Sequence, residues 1–461
     1  FWSGIVDLDP ADSPATAAAL LMHQFAERTD EDHTAFRGGR QHVLRLARRT
    51  KTTSKPKRIP IRPDATYLIT GGLGGIGLII ARWLVARGAR HLILAGRSSL
   101  APRHEWDGVA KGTSEGDRIS AIRGLESLGA NVQTVAMDMG DETSVDKIIR
   151  QCLRAEQTPL RGVFHAAGVV QNVLLANQSP EQMRNILAAK MVGGWLLHRL
   201  LADAPLDLFV LFSSSSSLLS SPMLGSYTAA NAFLDALAHH RRSLGKPALS
   251  INWGPWAAAG MAARLLGSEG SKGNPRREIA NGAGVLSTER ALEALERLLE
   301  EGAVQTGVMP MDWARWQRWS YGNLPVPPYL SLLISGSDPE VPPHASEGFS
   351  REAILGAQSE IQKEMVDNYL ANQMARILKV ALAAVDRETP MPRLGFDSLM
   401  SIELKNRIES DLGVSVAMAR LIQGPTLLEL AAWVTDVLVA GQSVDATPAV
   451  GSSVEFEEGV L

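Results

Sequence analysis

Tyr67-Leu-Ile-Thr-Gly-Gly-Leu-Gly-Gly-Ile-Gly77 decides how this chain is read. A short apolar run ends at Thr70, glycines follow at 71, 72, 74, 75 and 77, and an amphipathic pattern continues over Ile76–Arg87. A strand that turns through glycines into a helix gathers backbone N–H groups and a helix N-terminus at one point, which stabilises a pyrophosphate. The missing side chains let the backbone approach closely. The same letters also suit a bare packing turn. The strand before and the helix after favour a dinucleotide site at Gly71, Gly72, Leu73, Gly74, Gly75, Ile76 and Gly77.

Working outward, apolar runs recur at Tyr67–Thr70, His91–Leu94, Val132–Ala136, Gly162–His165, Leu208–Phe212 and Leu249–Asn252, with helical patterns between them. Near-continuous apolar strands alternating with helices predict an α/β, doubly wound parallel sheet of the Rossmann type, covered on both faces. This region spans 64–320. Residues 1–63 are mixed and end in a basic run, with ten Lys/Arg and no acid from Arg37 to Arg62. That run reads as a solvated hairpin and linker rather than a nucleic-acid patch, because no aromatic residue interleaves it. Residues 321–360 are Pro-rich and have linker composition. Residues 361–441 carry helical spacing only, around Val366–Val380, Ser398–Leu412 and Thr426–Val439, and predict a small all-α bundle. The tail, 442–461, is rich in Ser, Gly and acid and reads as flexible.

The 461 residues call for two to four domains. Hydrophobic residues at 45% supply a core, and the net charge of −3 argues against a wholly basic nucleic-acid surface. One cysteine, Cys152, excludes an intrachain disulfide and a Cys-rich metal site, and fits a reducing, cytoplasmic setting. No metal is expected. No apolar stretch is long enough to cross a bilayer. The sequence opens on Phe1 with no leader pattern and reads as a piece of a longer polypeptide.

The second strand run ends in Arg97 and Ser98. An acid there would bond a ribose 2′-OH, whereas arginine accommodates a 2′-phosphate, so NADPH is expected. Asp138 and Met139, at the end of the third strand, are candidates for the adenine edge. His165-Ala166-Ala167-Gly168 follows the fourth strand and is expected to line the cofactor.

Carbonyl reduction needs a proton donor beside the developing alkoxide. A tyrosine hydroxyl, ordinarily of pKa about 10, serves when a nearby cation lowers it. Tyr227 is the candidate. Ser214, at the end of the fifth strand, is placed to hydrogen-bond the carbonyl, and Asn231 follows Tyr227 on the same helix face. In ordinary short-chain dehydrogenases the residue four after the tyrosine is lysine. Here it is Asn231, so the cation comes from elsewhere, and Lys190 in the preceding helix is well placed.

That exchange resembles the ketoreductases of modular polyketide synthases and of animal-type fatty acid synthases. FRGGRQHVLRL, YLITGGLGGIG, HAAGV, AAKMVGGWLLH, SYTAANAFLDALAHHRR and INWGPW are all similar to that family, up to about residue 320. The resemblance implies Lys190, Ser214, Tyr227 and Asn231 as the catalytic set, a substrate lid after Trp253 and Trp256, and residues 1–63 as the end of a structural subdomain. Two markers depart from the pattern. Val170-Gln171-Asn172 stands where B-type ketoreductases carry Leu-Asp-Asp, and Leu219 stands where A-type ones carry Trp. Absence of the tryptophan leans toward the B type, and the product's hand stays open.

Leu394-Gly-Phe-Asp-Ser-Leu399 opens a helical pattern at Ser398. A helix N-terminus stabilises an attached phosphodiester, although Asp397 or Ser398 also suits a plain N-cap. The full run resembles an acyl carrier protein, which implies covalent 4′-phosphopantetheine on Ser398. Together these resemblances imply part of a modular or mycocerosic-type polyketide synthase in which NADPH reduces a carrier-bound β-ketoacyl thioester. Implied partners are the acyl substrate, other synthase domains and a phosphopantetheinyl transferase, within a homodimeric parent. A reductase-inactive scaffold with a working carrier is the alternative. The intact tetrad disfavours it, and Asn231 with the appended carrier disfavours a free-standing sugar or steroid dehydrogenase.

Overall fold

The computed structural model describes residues 4–26, 31–50, 58–155, 157–219, 221, 223–257, 282–321, 326–334, 351–378, 380–394, 396, 398–417, 420–421 and 423–440. The chain divides into two compact units, Leu46–Trp316, and Phe1–Arg45 with Gln317–Leu461.

The larger unit is built on a seven-stranded parallel sheet. Its strands are β4 (Thr66–Thr70), β5 (His91–Gly96), β6 (Asn131–Ala136), β7 (Leu160–His165), β8 (Leu208–Ser214), β9 (Leu249–Trp253) and β10 (Gln305–Val308). The order β10-β9-β8-β7-β4-β5-β6 sends the chain outward from β4 in one direction, then returns it to β7 on the other side. The reversal lies between β4 and β7, and such a switch point opens a crevice at the strand C-termini. Side chains alternate between two apolar layers, as the period of two requires. Tyr67, Ile69, Leu92, Leu94, Phe164, Val210 and Phe212 enter one core with Ile80, Trp83 and Leu84 of helix α2 (Gly75–Ala86). Leu68, Ile93, Val163, Phe209 and Leu211 enter the other. Because both faces are covered, β4, β5, β7, β8 and β9 lack polar alternation, and this makes them legible as apolar runs. The seventh strand, Gln-Thr-Gly-Val at the sheet edge, has no such run, and the sequence reading missed it.

In the smaller unit β2 (His33–Arg37) and β3 (Arg40–Val43) form the hairpin expected from FRGGRQHV. Gly38 (φ +54°) and Gly39 (φ +73°) supply the left-handed conformations of a two-residue turn. β1 (Ile5–Asp7) adds in parallel to β2. The basic run is partly neutralised, with Arg37 on Asp7, Arg45 on Glu31, Arg49 on Glu301 and Arg62 on Asp207. This favours the solvated-linker reading. Helices Ser359–Leu378, Ser398–Leu412 and Leu427–Ala440 match the three helical patterns. They enclose Tyr369, Leu370, Met374, Leu404, Ile408, Leu430 and Val434. The buried Tyr369 hydroxyl donates to Asp411 Oδ2 (2.7 Å), and Thr426 and Glu429 cap each other's backbone N–H at the start of the last helix. The tail read as flexible, 442–461, and half of the Pro-rich stretch, 322–325 and 335–350, lie outside the described residues.

A Cβ on Gly77 would lie 2.3 Å from the Gly71 carbonyl oxygen and 2.6 Å from Gly72 Cα, both rigid backbone. Gly77→Ala should therefore destabilise the larger unit by roughly 1–3 kcal/mol. Denaturant unfolding checks this, and an unchanged midpoint contradicts it.

Candidate functional site

Two loops border the crevice at the switch point. On the β4 side, Gly71 sits at φ +67°, and a Cβ there would lie 2.9 Å from the Ala166 and Ala167 backbone. Glycine thus satisfies both a left-handed conformation and a close approach of two strand ends. Gly72 N–H donates to Ala95 O (3.0 Å) and Leu73 is buried, tying the turn to β5. Gly74 is the N-cap of α2 and offers no side-chain cap, so the first N–H groups of the helix lack intrahelical partners. This backbone cradle fits a pyrophosphate. Arg97 and Ser98 follow β5 and are exposed. Asp138 is exposed beyond β6, with Oδ1 accepting from Gly140 N–H (2.9 Å). Met139 differs. Its side chain is buried where a Cβ on Gly193 would meet it at 2.8 Å, so it packs the core beneath the crevice.

On the β7 side, His165 is fully buried and its Nδ1 bonds Thr70 Oγ1 (2.7 Å), linking the two strand ends. Burial first, and the Lys190 charge second, pull this imidazole down to about 3, so it is neutral near pH 7. Ala166 N–H donates to Thr70 O (3.1 Å). Gly168 makes room for Lys190, because a Cβ there would lie 2.8 Å from Lys190 Cε.

Lys190 sits in a π-helical turn, Ala188–Val192, between helices α5 (Pro180–Leu187) and α6 (Gly193–Leu200). The extra residue in such a turn re-aims its side chain, and these turns recur at functional sites. The ammonium is buried, donates to Phe212 O of β8 and lies 5.8 Å from the Tyr227 ring centroid. Burial pulls it from 10.5 to about 8, while the Asp235 charge pulls the other way.

Tyr227 and Asn231 lie one turn apart on helix α7 (Gly225–Ser243), and both are buried. Asn231 Nδ2 donates to Tyr227 O (2.7 Å), and its Oδ1 is buried with no partner among the described residues. Burial raises the Tyr227 phenol above its ordinary value, and hydrogen bonds with Asn231 and Ser214 partly offset this. The sequence leads one to expect a cation lowering that phenol. Here burial wins, and Lys190 directs a proton to the Phe212 carbonyl. Ser214 ends β8, with Oγ accepting from Ser216 N–H (3.2 Å). The fold therefore gathers an uncharged phenol, a serine hydroxyl, an amide and a buried ammonium beside the glycine cradle.

The sequence matches the KR domain family over residues 65–258 and the phosphopantetheine attachment site family over residues 368–434. A ketoreductase from the first module of phoslactomycin biosynthesis in Streptomyces sp. HK803 is 33% identical, with TM-score 0.58, covering 72% of this chain and 71% of that one. The chain belongs to the ketoreductase family of polyketide synthases. A structure of an A1-type ketoreductase is also similar, at 33% identity and TM-score 0.62, covering 72% of this chain and 65% of that one. A phenolphthiocerol/phthiocerol polyketide synthase polypeptide of Mycobacterium tuberculosis is 32% identical over 434 residues, 93% of this chain and 22% of the relative. The chain thus spans about a fifth of that curated relative's length. A ketoreductase domain implies NADPH, and the attachment site implies covalent 4′-phosphopantetheine.

Ser398 begins the helix Ser398–Leu412 of the smaller unit. The lid expected after Trp256 falls on 258–281, outside the described residues. Sequence reasoning missed the buried carboxylate Asp235 and its partner Asn252. The signal was there, since Asp235 stands next to Leu234 and before Leu237 on a buried helix face, and Asn252 interrupts an apolar strand.

Because Lys190 loses its charge near pH 8, kcat/KM for NADPH should be level below that pH and fall as pH rises through it. Initial rates of NADPH oxidation from pH 6 to 10 test this. A level profile to pH 10 contradicts it.

Proposed function

We propose that this chain reduces the β-keto group of an acyl thioester carried on its own phosphopantetheine arm, giving a β-hydroxyacyl thioester. The observation that carries the reading is the convergence of Lys190, Ser214, Tyr227 and Asn231 beside the glycine cradle. NADPH, when bound, supplies the hydride that adds to the β-carbon. Ser214 Oγ donates a hydrogen bond to the ketone oxygen and orients it. Tyr227 Oη gives its proton to that oxygen as charge develops there. The Lys190 ammonium, 5.8 Å from the ring centroid, stabilises the phenolate so formed; at that separation and an effective dielectric of about 20 the attraction is ~3 kcal/mol. The unpartnered Oδ1 of Asn231 is an acceptor for that ammonium or for a water that returns the proton.

The reductase region in this reading spans 64–320 and the carrier 361–441, with Ser398 bearing the arm. Tethering raises the local concentration of the acyl group at the reductase. Its partners are a phosphopantetheinyl transferase and further synthase domains in a dimeric, cytoplasmic parent. Among the described residues no helix is long and apolar enough to cross a membrane. Convergence of the four side chains favours this reading over an inactive scaffold.

Absorbance at 340 nm with NADPH and a soluble β-ketoacyl thioester tests the reading. The wild type should oxidise NADPH, and Tyr227→Phe should lower kcat on the order of 10²–10⁴-fold while NADPH still binds. Retained turnover in that variant removes Tyr227 as donor. Separately, Ser398→Ala should abolish the mass gain of one phosphopantetheine on incubation with coenzyme A and a transferase, and leave reduction of the free thioester unchanged. Continued modification places the arm elsewhere.

A further inference from the structure

Asp235 lies about two helical turns beyond Tyr227 on α7 and is 6% exposed. A buried carboxylate requires donors. Its Oδ1 accepts from Ser250 Oγ (2.6 Å), and its Oδ2 from Asn252 Nδ2 (2.6 Å) and Ser217 Oγ (2.8 Å). Ser250 and Asn252 belong to β9, whereas Ser217 belongs to the loop that follows Ser214. Ser217 Oγ also lies 2.8 Å from the Ser214 carbonyl oxygen, and its single proton favours the charged acceptor. Asn252 Nδ2 reaches Ser217 Oγ (2.7 Å) and Ser213 Oγ (3.1 Å), and Ser213 Oγ donates to the Asn231 carbonyl (3.2 Å). The residues at 213 and 217, on either side of Ser214, are therefore tied through one carboxylate to β9 and to the helix that carries Tyr227 and Asn231.

Ser213, Ser250, Asn252 and Asp235 are all buried, and both carboxylate oxygens are taken up by Ser250, Asn252 and Ser217. We propose that Asp235 is a positioning residue for the reduction, its carboxylate locking the Ser215–Ser217 turn after β8 so that Ser214 and Tyr227 meet the same carbonyl oxygen. The proposal rests on the reductase reading above and deepens it. Electrostatics support the geometry. Burial raises the Asp235 carboxyl, and hydrogen bonds from Ser250, Ser217, Asn252 and Ser213 pull it back, while its negative charge favours the Lys190 ammonium. The groups that face Lys190 are Asp235 and Tyr227 of α7 and His165 of β7. Beyond Asn252, Gln305 of β10 approaches Asn252 Oδ1 (3.4 Å) and meets the exposed His239 (3.0 Å).

Asp235→Asn keeps the shape and removes the charge. With NADPH and a soluble β-ketoacyl thioester, kcat should fall on the order of 10–100-fold with KM for NADPH unchanged. The alkaline limb of kcat/KM should move to lower pH, because Lys190 loses its supporting anion. Ser217→Ala keeps the charge but removes the hydrogen bond that ties the turn after Ser214 to the carboxylate, so kcat should fall while the limb stays in place. Should Asp235→Asn fail to fold, Ser217→Ala alone decides, and a wild-type kcat there overturns the proposal. A folded Asp235→Asn with wild-type kcat, or with activity lost only in proportion to the folded fraction and an unmoved limb, also overturns it. A wild type that never oxidises NADPH sinks the reductase reading together with this one, whereas an active wild type beside an indistinguishable Asp235→Asn sinks this one alone.

Discussion

The site depends on one ammonium held out of water. Lys190 donates to the Phe212 carbonyl within reach of the Tyr227 ring, and among the described residues no side-chain carboxylate is hydrogen-bonded to it. Its fall to about 8 corresponds to about 3 kcal/mol of preference for the neutral amine relative to water. The structure offsets that cost with the distant Asp235 charge and a backbone carbonyl. A cation so poorly compensated is useful where a negative charge will appear, and a tyrosine surrendering its proton provides one.

The rest of the arrangement follows from placing that cation at a topological switch point. The reversal between β4 and β7 opens a crevice, glycines clear its floor, and Gly168 removes the side chain that would collide with Lys190. The π-helical turn swings Lys190 inward from a different segment than the one bearing Tyr227. Asn231 then stands where a lysine on the same helix as the tyrosine would otherwise supply the charge. The cation and the proton donor thus come from separate segments, Lys190 bonded to β8 and packed beside the Tyr227 ring.

Much of this is legible in the sequence. Strands β4, β5, β7, β8 and β9 announce themselves because both faces are buried, and the glycine turn because no other residue fits it. The four-residue edge strand β10 and the three-residue strand β1 are too short to signal. The candidate tetrad is readable from spacing and resemblance, but the π-helical turn that aims Lys190 is not, since the two eight-residue helices flanking it are too short to display a change of phase. The direction of the Met139 side chain is not legible, because proximity to a strand end does not fix which way a side chain points, and here Gly193 admits it to the core. Asp235 was overlooked although a carboxylate on an apolar helix face facing a strand with Ser250 and Asn252 is a legible pairing.

The most direct measurement is a pH titration of the Lys190 side-chain nitrogen by ¹⁵N NMR in lysine-labelled protein without added nucleotide, assigned by loss of the signal in Lys190→Met. A midpoint near 8 is the expected result. A midpoint at the ordinary lysine value of about 10.4 would contradict a desolvated ammonium at the centre of this site.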